Sequence, residues 1–152
     1  MIKYIQQGNI LNSTADAVVN PINCVPGVLG KGLALQFSNK YLWLKEEHRL
    51  ACLRGQIKIG RVFFHPIPDS SYPQYLISFP TKQHWKYPSE ITYIEDGLRN
   101  LVMQLETIYT DVTSIAIPLL GSGLGGIDSK VSLSLIESTA NQLPDILWEI
   151  YE

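Results

Sequence analysis

The sequence predicts an α/β domain whose sheet is largely parallel or mixed and carries helices on both faces. Two observations carry that expectation. Short apolar runs alternate with segments of helical period along the chain. The runs Ala17-Val18-Val19 and Ile115-Ala116-Ile117 are apolar at every position, as in strands buried on both faces. In chain order, strands are predicted over Ile2 to Ile5, Ala17 to Asn20, Val62 to His65, Tyr75 to Phe79, Ser114 to Pro118 and Ile146 to Ile150. A short helix starts near Gly32 and covers Leu33 to Phe37. The next spans Leu42 to Arg54, carries Leu42, Leu44, Leu50, Ala51 and Leu53, and stops at Gly55. The clearest helix runs from Tyr93 to Tyr109, where Ile94, Leu98, Leu101, Val102, Leu105, Ile108 and Tyr109 fall on one face. The last runs from Lys130 to Gln142, with Asp128 or Ser129 as its cap. Pro66 to Pro73 reads as a surface connection.

Composition narrows the possibilities. The 152 residues suit one domain spanning 1–152, and no linker or repeat divides them. With 45% apolar and 17% charged residues, the chain can bury a core and is not disordered. A net charge of −2 argues against coating nucleic acid by bulk charge, though not against a local basic patch. No apolar run approaches the roughly 18 residues of a membrane span, and the N-terminus lacks the apolar stretch of a signal peptide. Cys24 and Cys52 are too few for a disulfide scaffold. The expectation is a reduced, cytoplasmic domain, with a monomer as the simplest assembly.

The glycines cluster. Gly27, Gly30 and Gly32 follow the strand ending near Asn20; Gly121, Gly123, Gly125 and Gly126 follow the strand ending at Pro118. Each loop leads from a buried strand toward a helix, where open α/β sheets bind ligands. Glycine lets backbone N–H groups converge on phosphate, and the following helix adds the positive end of its dipole. Either loop alone could be a mere tight turn; together they favour a phosphate-bearing ligand. Gly30-Lys31-Gly32-Leu33 lacks the Ser/Thr and spacing of a P-loop. Gly121-x-Gly123-x-Gly125 is not the dinucleotide fingerprint. The spacing therefore argues against a kinase or nicotinamide dehydrogenase. Asn23, beside Pro21, could meet ribose hydroxyls or simply hold the turn, and Asn9 could read an adenine edge or cap its turn. In Thr81-Lys82-Gln83-His84-Trp85-Lys86, three basic side chains surround a stacking face. Taken singly, a strand-end lysine is usually solvated and a lone histidine usually a hydrogen-bonded bystander. His48, His65 and His84 are scattered and show no metal-ligand spacing.

These clusters together resemble the macrodomain family of ADP-ribose binders, most closely the DarG type, the DNA ADP-ribosyl glycohydrolase antitoxins. The resemblance rests on Gly8-Asn9-Ile10-Leu11, Ala17 to Asn23, Gly30 to Phe37, Phe79 to Trp85, and Pro118-Leu119-Leu120-Gly121-Ser122-Gly123-Leu124-Gly125-Gly126. Gly30-Lys31-Gly32 and Thr81-Lys82-x-His84-Trp85 are its specific signals. It implies a three-layer α/β/α sandwich with a mixed central sheet, an ADP-ribose cleft at the strand ends, and no cofactor. By position it implies ADP-ribose contacts from Asn9, Ile10, Asn23, Lys31, Gly32, Leu33, Leu119, Ser122, Gly123, Leu124, Gly125 and Gly126. Asn9 stands where many macrodomains carry an Asp against adenine. Lys82 matches the catalytic lysine. A related branch pairs that lysine with an aspartate in the second loop; here Gly125 takes that place, as in the DarG pattern. His84, Trp85 and Lys86 are expected at the modified base or the DNA strand, with Lys40 near phosphates.

The implied reaction is hydrolysis of the N-glycosidic bond between a DNA base, thymine, and C1 of the distal ribose. Lys82 could serve as cation, proton donor or nucleophile, and the sequence leaves that choice open. The implied partners are ADP-ribose, ADP-ribosylated DNA in a short single-stranded stretch, and a DarT-type toxin reached through a further domain. The chain stops near the expected end of a macrodomain, as either an excised piece or a stand-alone enzyme. Removal of ADP-ribose from protein, deacylation of O-acyl-ADP-ribose, and non-catalytic ADP-ribose binding are the alternatives. Lys82 favours catalysis over binding alone.

Overall fold

In the computed structural model, residues 1–68 and 71–152 are described, so part of the connection predicted over 66–73 lies outside the described residues. The strands are β1 (Ile2–Ile5), β2 (Ala17–Asn23), β3 (Phe63–Pro66), β4 (Tyr75–Lys82), β5 (Ser114–Pro118) and β6 (Leu147–Tyr151). The helices are α1 (Gly32–Lys40), α2 (Leu44–Leu53), α3 (Ile91–Thr107) and α4 (Ser129–Gln142), with short 3-10 turns at Ile10–Asn12 and Gly123–Gly125.

One sheet holds the strands in the order β1-β6-β5-β2-β4-β3. All neighbours are parallel except the edge strand β3, which runs antiparallel to β4. The pleat sorts the uninterrupted apolar runs onto two faces. Ala17, Val19, Ile77, Phe79, Ile115, Ile117, Trp148 and Ile150 pack with Ile94, Leu98 and Leu101 of α3 and Ile136 of α4. Val18, Ile22, Leu76 and Ala116 pack with Phe37 of α1 and Leu44 and Ala51 of α2 on the other face. Each large apolar side chain fully buried this way contributes about 1.5–3 kcal/mol. The result is the three-layer α/β/α sandwich with a mixed sheet.

Two strands run three residues further than the sequence predicts. β2 continues past Asn20 to Asn23 and β4 past Phe79 to Lys82. Pro21 and Pro80 read as stops because proline gives the ladder no donor. They fall at the carboxyl margin, where the pairing register shifts between Ile22 and Asn23 and brings Asn23 opposite Lys82. Helix ends move as well: α1 runs on to Lys40 and α3 begins at Ile91. α2 starts at Leu44, so Leu42 lies outside it and is 87% exposed. α3 ends at Thr107; Ile108 is exposed and leaves the buried face, while Tyr109 stacks on Phe64.

The topology places a crevice. From β2 the chain passes through α1, α2 and β3 to β4, on one side in the sheet; from β5 it passes through α4 to β6, on the other. β2 and β5 pair only at Ala17–Ile115 and Val18–Ala116. Beyond that they part, and the loops leaving their carboxyl ends diverge, the arrangement in which such sheets hold ligands.

Candidate active site

A cleft of about 550 Å³ lies at this switch point. Ile22 and Asn23 at the end of β2, Gly30 to Ala34, Thr81 and Lys82 of β4, Trp85, Pro118 at the end of β5, and Leu119, Gly121, Ser122, Leu124 and Gly125 of the second loop contribute to its walls.

The first loop is tied by its own side chains. Asn23 Oδ1 accepts the Val25 N–H at 2.8 Å and Nδ2 donates to the Val28 carbonyl at 3.0 Å. The Asn23 amide therefore frames the loop as well as lining the cleft. Gly27 turns the chain at φ +74° and Gly32 at φ +58°, a region costly for other residues. Gly32 opens α1, whose N-cap Lys31 makes no side-chain capping bond. The first N–H groups of this nine-residue helix, on Gly32, Leu33 and Ala34, lack partners within the helix and belong to residues of the cleft wall. Such a terminus favours a bound anion.

The second loop follows β5. At Gly121, φ +73° and the nearness of Ile127, whose Cδ1 would lie 2.6 Å from a methyl group there, both exclude a side chain. The Ser122 hydroxyl donates to the Leu119 carbonyl at 2.8 Å. The Gly125 carbonyl accepts the Ser89 N–H at 2.9 Å, fastening the loop to the segment before α3. Leu124 is exposed and reaches toward the first loop; a methyl group on Gly32 would stand 3.6 Å from its Cδ1.

Lys82 and Lys31 both line the cleft, and no Asp or Glu does among the described residues. Lys82 has no ion-pair partner among them. Its backbone carbonyl accepts the Cys24 N–H at 3.2 Å, joining β4 to the first loop. Two lysines, a helix N-terminus and a glycine loop thus line the cleft, a set suited to a diphosphate and to proton transfer at a leaving group.

Beside the mouth, Trp85 is 47% exposed. The His84 ring stacks on it at 5.2 Å between centroids, and Lys86 Nζ lies 5.2 Å from the Trp85 ring centre. Tyr87 packs 5.5 Å from His84 and is exposed, extending an aromatic surface that the sequence reading stopped short of. Its place two residues after Trp85 was the available signal.

The expected contact residues divide. Lys31, Gly32, Leu33, Asn23, Leu119, Ser122, Leu124, Gly125, Lys82 and Trp85 converge on the cleft. His84 and Lys86 flank Trp85 outside it. Gly123 sits in the second loop without lining the cleft, and Gly126 lines a more open depression of about 620 Å³ with Ser89, Glu90 and Asp128. Asn9 caps the 3-10 turn, its Oδ1 accepting the Leu11 N–H at 3.0 Å, and the Ile10 side chain is buried in the core. Lys40, expected near phosphates, ends α1 far along the helix from the cleft, where its Nζ donates to the Leu11 carbonyl. Two residues carry structure that spacing did not reveal. Ser89 backs Gly125, and the buried His48 holds the first loop through Gly27 and Asn23. Burial pushes the His48 imidazole pKa down, and burial also raises the thiols of Cys24 to about 11 and Cys52 to about 12, leaving both protonated. Among the described residues no helix is long and apolar enough to cross a membrane.

Known proteins agree with this geometry. The Macro domain family model matches residues 19–136. The DNA ADP-ribosyl glycohydrolase of Mycobacterium tuberculosis is 39% identical over 151 residues, covering 99% of this chain and 42% of that protein. Its counterpart from Thermus aquaticus is 38% identical over 152 residues, covering 100% of this chain and 41% of that protein. The chain therefore spans under half the length of these curated relatives. The solved macrodomain of Mycobacterium tuberculosis DarG superposes with a TM-score of 0.93 at 39% identity, covering 99% of this chain and 97% of that one. The macrodomain of Thermus aquaticus DarG gives 0.90 at 38%, covering 100% and 98%. Thermosipho africanus DarTG, solved in complex with ADP-ribose, gives 0.90 at 26%, covering 99% of this chain and 41% of that one. With a crevice at the parting of β2 and β5, two glycine loops around it and these matches over its length, the chain belongs to the macrodomain family.

Proposed function

We propose that this chain is a DNA ADP-ribosyl glycohydrolase. It removes ADP-ribose from thymine in single-stranded DNA and so reverses the modification made by a DarT-type toxin. The observation that carries the reading is Lys82 among the residues lining a cleft whose described walls hold no carboxylate. Its support from relatives is the activity named for the Mycobacterium tuberculosis and Thermus aquaticus proteins.

The bond between the thymine nitrogen and C1 of the distal ribose breaks. Positive charge builds on the ribose ring and negative charge on the departing base. Lys82 stabilises that base and gives it a proton, water adds to C1, and its surplus proton returns the amine to the charged state. The products are ADP-ribose and the unmodified base. The α1 N-terminus and the Ser122 to Gly126 loop hold the diphosphate, and orientation of the ribose supplies much of the rate. Trp85, with His84 and Lys86 beside it, takes the base or its flanking nucleotide by stacking and charge. A glutamate-linked substrate, handled elsewhere in the family by a lysine–aspartate pair, is disfavoured because Gly125 offers no carboxylate.

An oligonucleotide carrying thymidine-linked ADP-ribose tests this. Wild type releases ADP-ribose, and Lys82→Ala is slower by about a hundredfold or more. If wild type cleaves an ADP-ribosylated glutamate peptide and leaves the oligonucleotide intact, the substrate assignment is wrong. If Lys82→Ala cleaves as wild type does, the catalytic assignment is wrong.

A further inference from the structure

His48 lies on α2 beneath the first loop, fully buried and outside the cleft lining. Its Nδ1 is 3.0 Å from the Gly27 backbone N–H. A backbone N–H only donates, so Nδ1 carries no proton and Nε2 does. Nε2 in turn lies 3.0 Å from the Asn23 carbonyl, to which it donates. Two backbone groups therefore fix both tautomer and ring orientation.

The Asn23 carbonyl belongs to the same peptide unit as the Cys24 N–H, which donates to the Lys82 carbonyl at 3.2 Å. A continuous path results: imidazole N–H to the carbonyl of residue 23, across one rigid peptide, then N–H of residue 24 to the carbonyl of residue 82. It runs where the β2–β4 register shifts, so the regular ladder does not by itself fix this peptide. Bonds in such a chain polarise and align one another.

We infer that His48 is a positioning residue for Lys82, acting through the Asn23–Cys24 peptide. The inference rests on the proposed role of Lys82 as the reacting amine. His48 touches no substrate. It sets the height and tilt of the strand end from which Lys82 projects, and through Gly27 it holds the adjoining loop in the same frame.

Three substitutions separate this role from core packing. The Nε2 of Gln is as many bonds from Cβ as the imidazole Nε2, so His48→Gln can keep the bond to the Asn23 carbonyl. His48→Asn reaches only the Gly27 side, and His48→Leu keeps bulk without either bond. Steady-state cleavage of the ADP-ribosylated oligonucleotide is measured per folded molecule, below each variant's melting temperature. His48→Leu and His48→Asn are expected to lose about tenfold to a hundredfold in kcat with KM little changed, and His48→Gln to stay within about threefold of wild type. Hydrogen exchange of the Cys24 amide reports the bond to Lys82 without any activity. It is expected to speed up about tenfold or more in the Leu and Asn variants and not in the Gln variant. Equal kcat in all three variants, or Cys24 exchange unchanged in His48→Leu, overturns the inference. Wild type inert toward the oligonucleotide overturns the functional reading instead, and the exchange result still decides whether His48 governs the Lys82 strand end.

Discussion

Gly125 and Ser89 share one volume at the back of the second loop: a methyl group on Gly125 would lie 2.5 Å from Ser89 Oγ and 3.1 Å from its Cβ. The Ser89 hydroxyl is buried there without a hydrogen-bond partner among the described residues. Gly125→Ala is therefore expected to destabilise the fold by about 1–3 kcal/mol, the usual cost of overpacking. Ser89→Gly in the same chain should restore part of it, so thermal melts of the two single variants and the double variant should be non-additive. Additive melts would mean the loop yields without touching Ser89. At this scale the sequence was partly legible. Lys82, Trp85 and Gly125 stand in contiguous motifs, and the family resemblance those motifs carry singled out the first and last. Ser89 and His48 cannot, because each acts on a residue more than twenty positions away and no spacing encodes what packs behind a glycine or under a loop. Asn23 shows the intermediate case. Both readings given to its amide, ribose contact and turn support, were chemically reasonable, and its bonds to Val25 and Val28 establish the second.

Strand ends matter more to this site than strand middles. The buried runs of β2 and β5 read directly from uninterrupted apolar sequence, while the last turns of β2 and β4 were hidden by Pro21 and Pro80. Those few residues deliver Asn23 and Lys82 to the cleft. The helix over β4 imposes a related constraint. Gly97 of α3 is buried against Phe79, and a methyl group there would stand 2.6 Å from the ring Cε1. Gly97→Ala should lower stability by about 1–3 kcal/mol by lifting α3 off the sheet. Because Phe79 precedes Lys82 on the same strand, activity per folded molecule should fall as well. A melt unchanged from wild type would show that α3 has room to spare. The helical period found Ile94, Leu98 and Leu101 but gave no reason for a glycine among them. That reason is the aromatic ring of another strand.

Across the whole molecule, alternation of strands and helices was enough to foresee a layered α/β fold. Strand order was not, since it depends on which long-range pairs close. One buried group couples the fold to pH. Burial keeps the folded-state pKa of His48 below the ordinary 6.5. As pH falls through 6.5, the unfolded chain takes up this proton before the folded one. Stability from this group is therefore complete above that value and declines below it, by at most about 1.4 kcal/mol per pH unit, until the folded imidazole also protonates. Urea midpoints at about pH 7.5 and about pH 5.5 should differ more for wild type than for His48→Gln, which has nothing to titrate there; equal differences would refute the assignment. The uncapped start of α1 has a kinetic consequence of its own. Under the proposed function it grips the diphosphate, a part of the substrate that hydrolysis leaves untouched, so it discriminates little between what enters and what leaves. Released ADP-ribose should compete for the site almost as well as the substrate, progress curves should flatten early, and sustained turnover should depend on another activity draining the product.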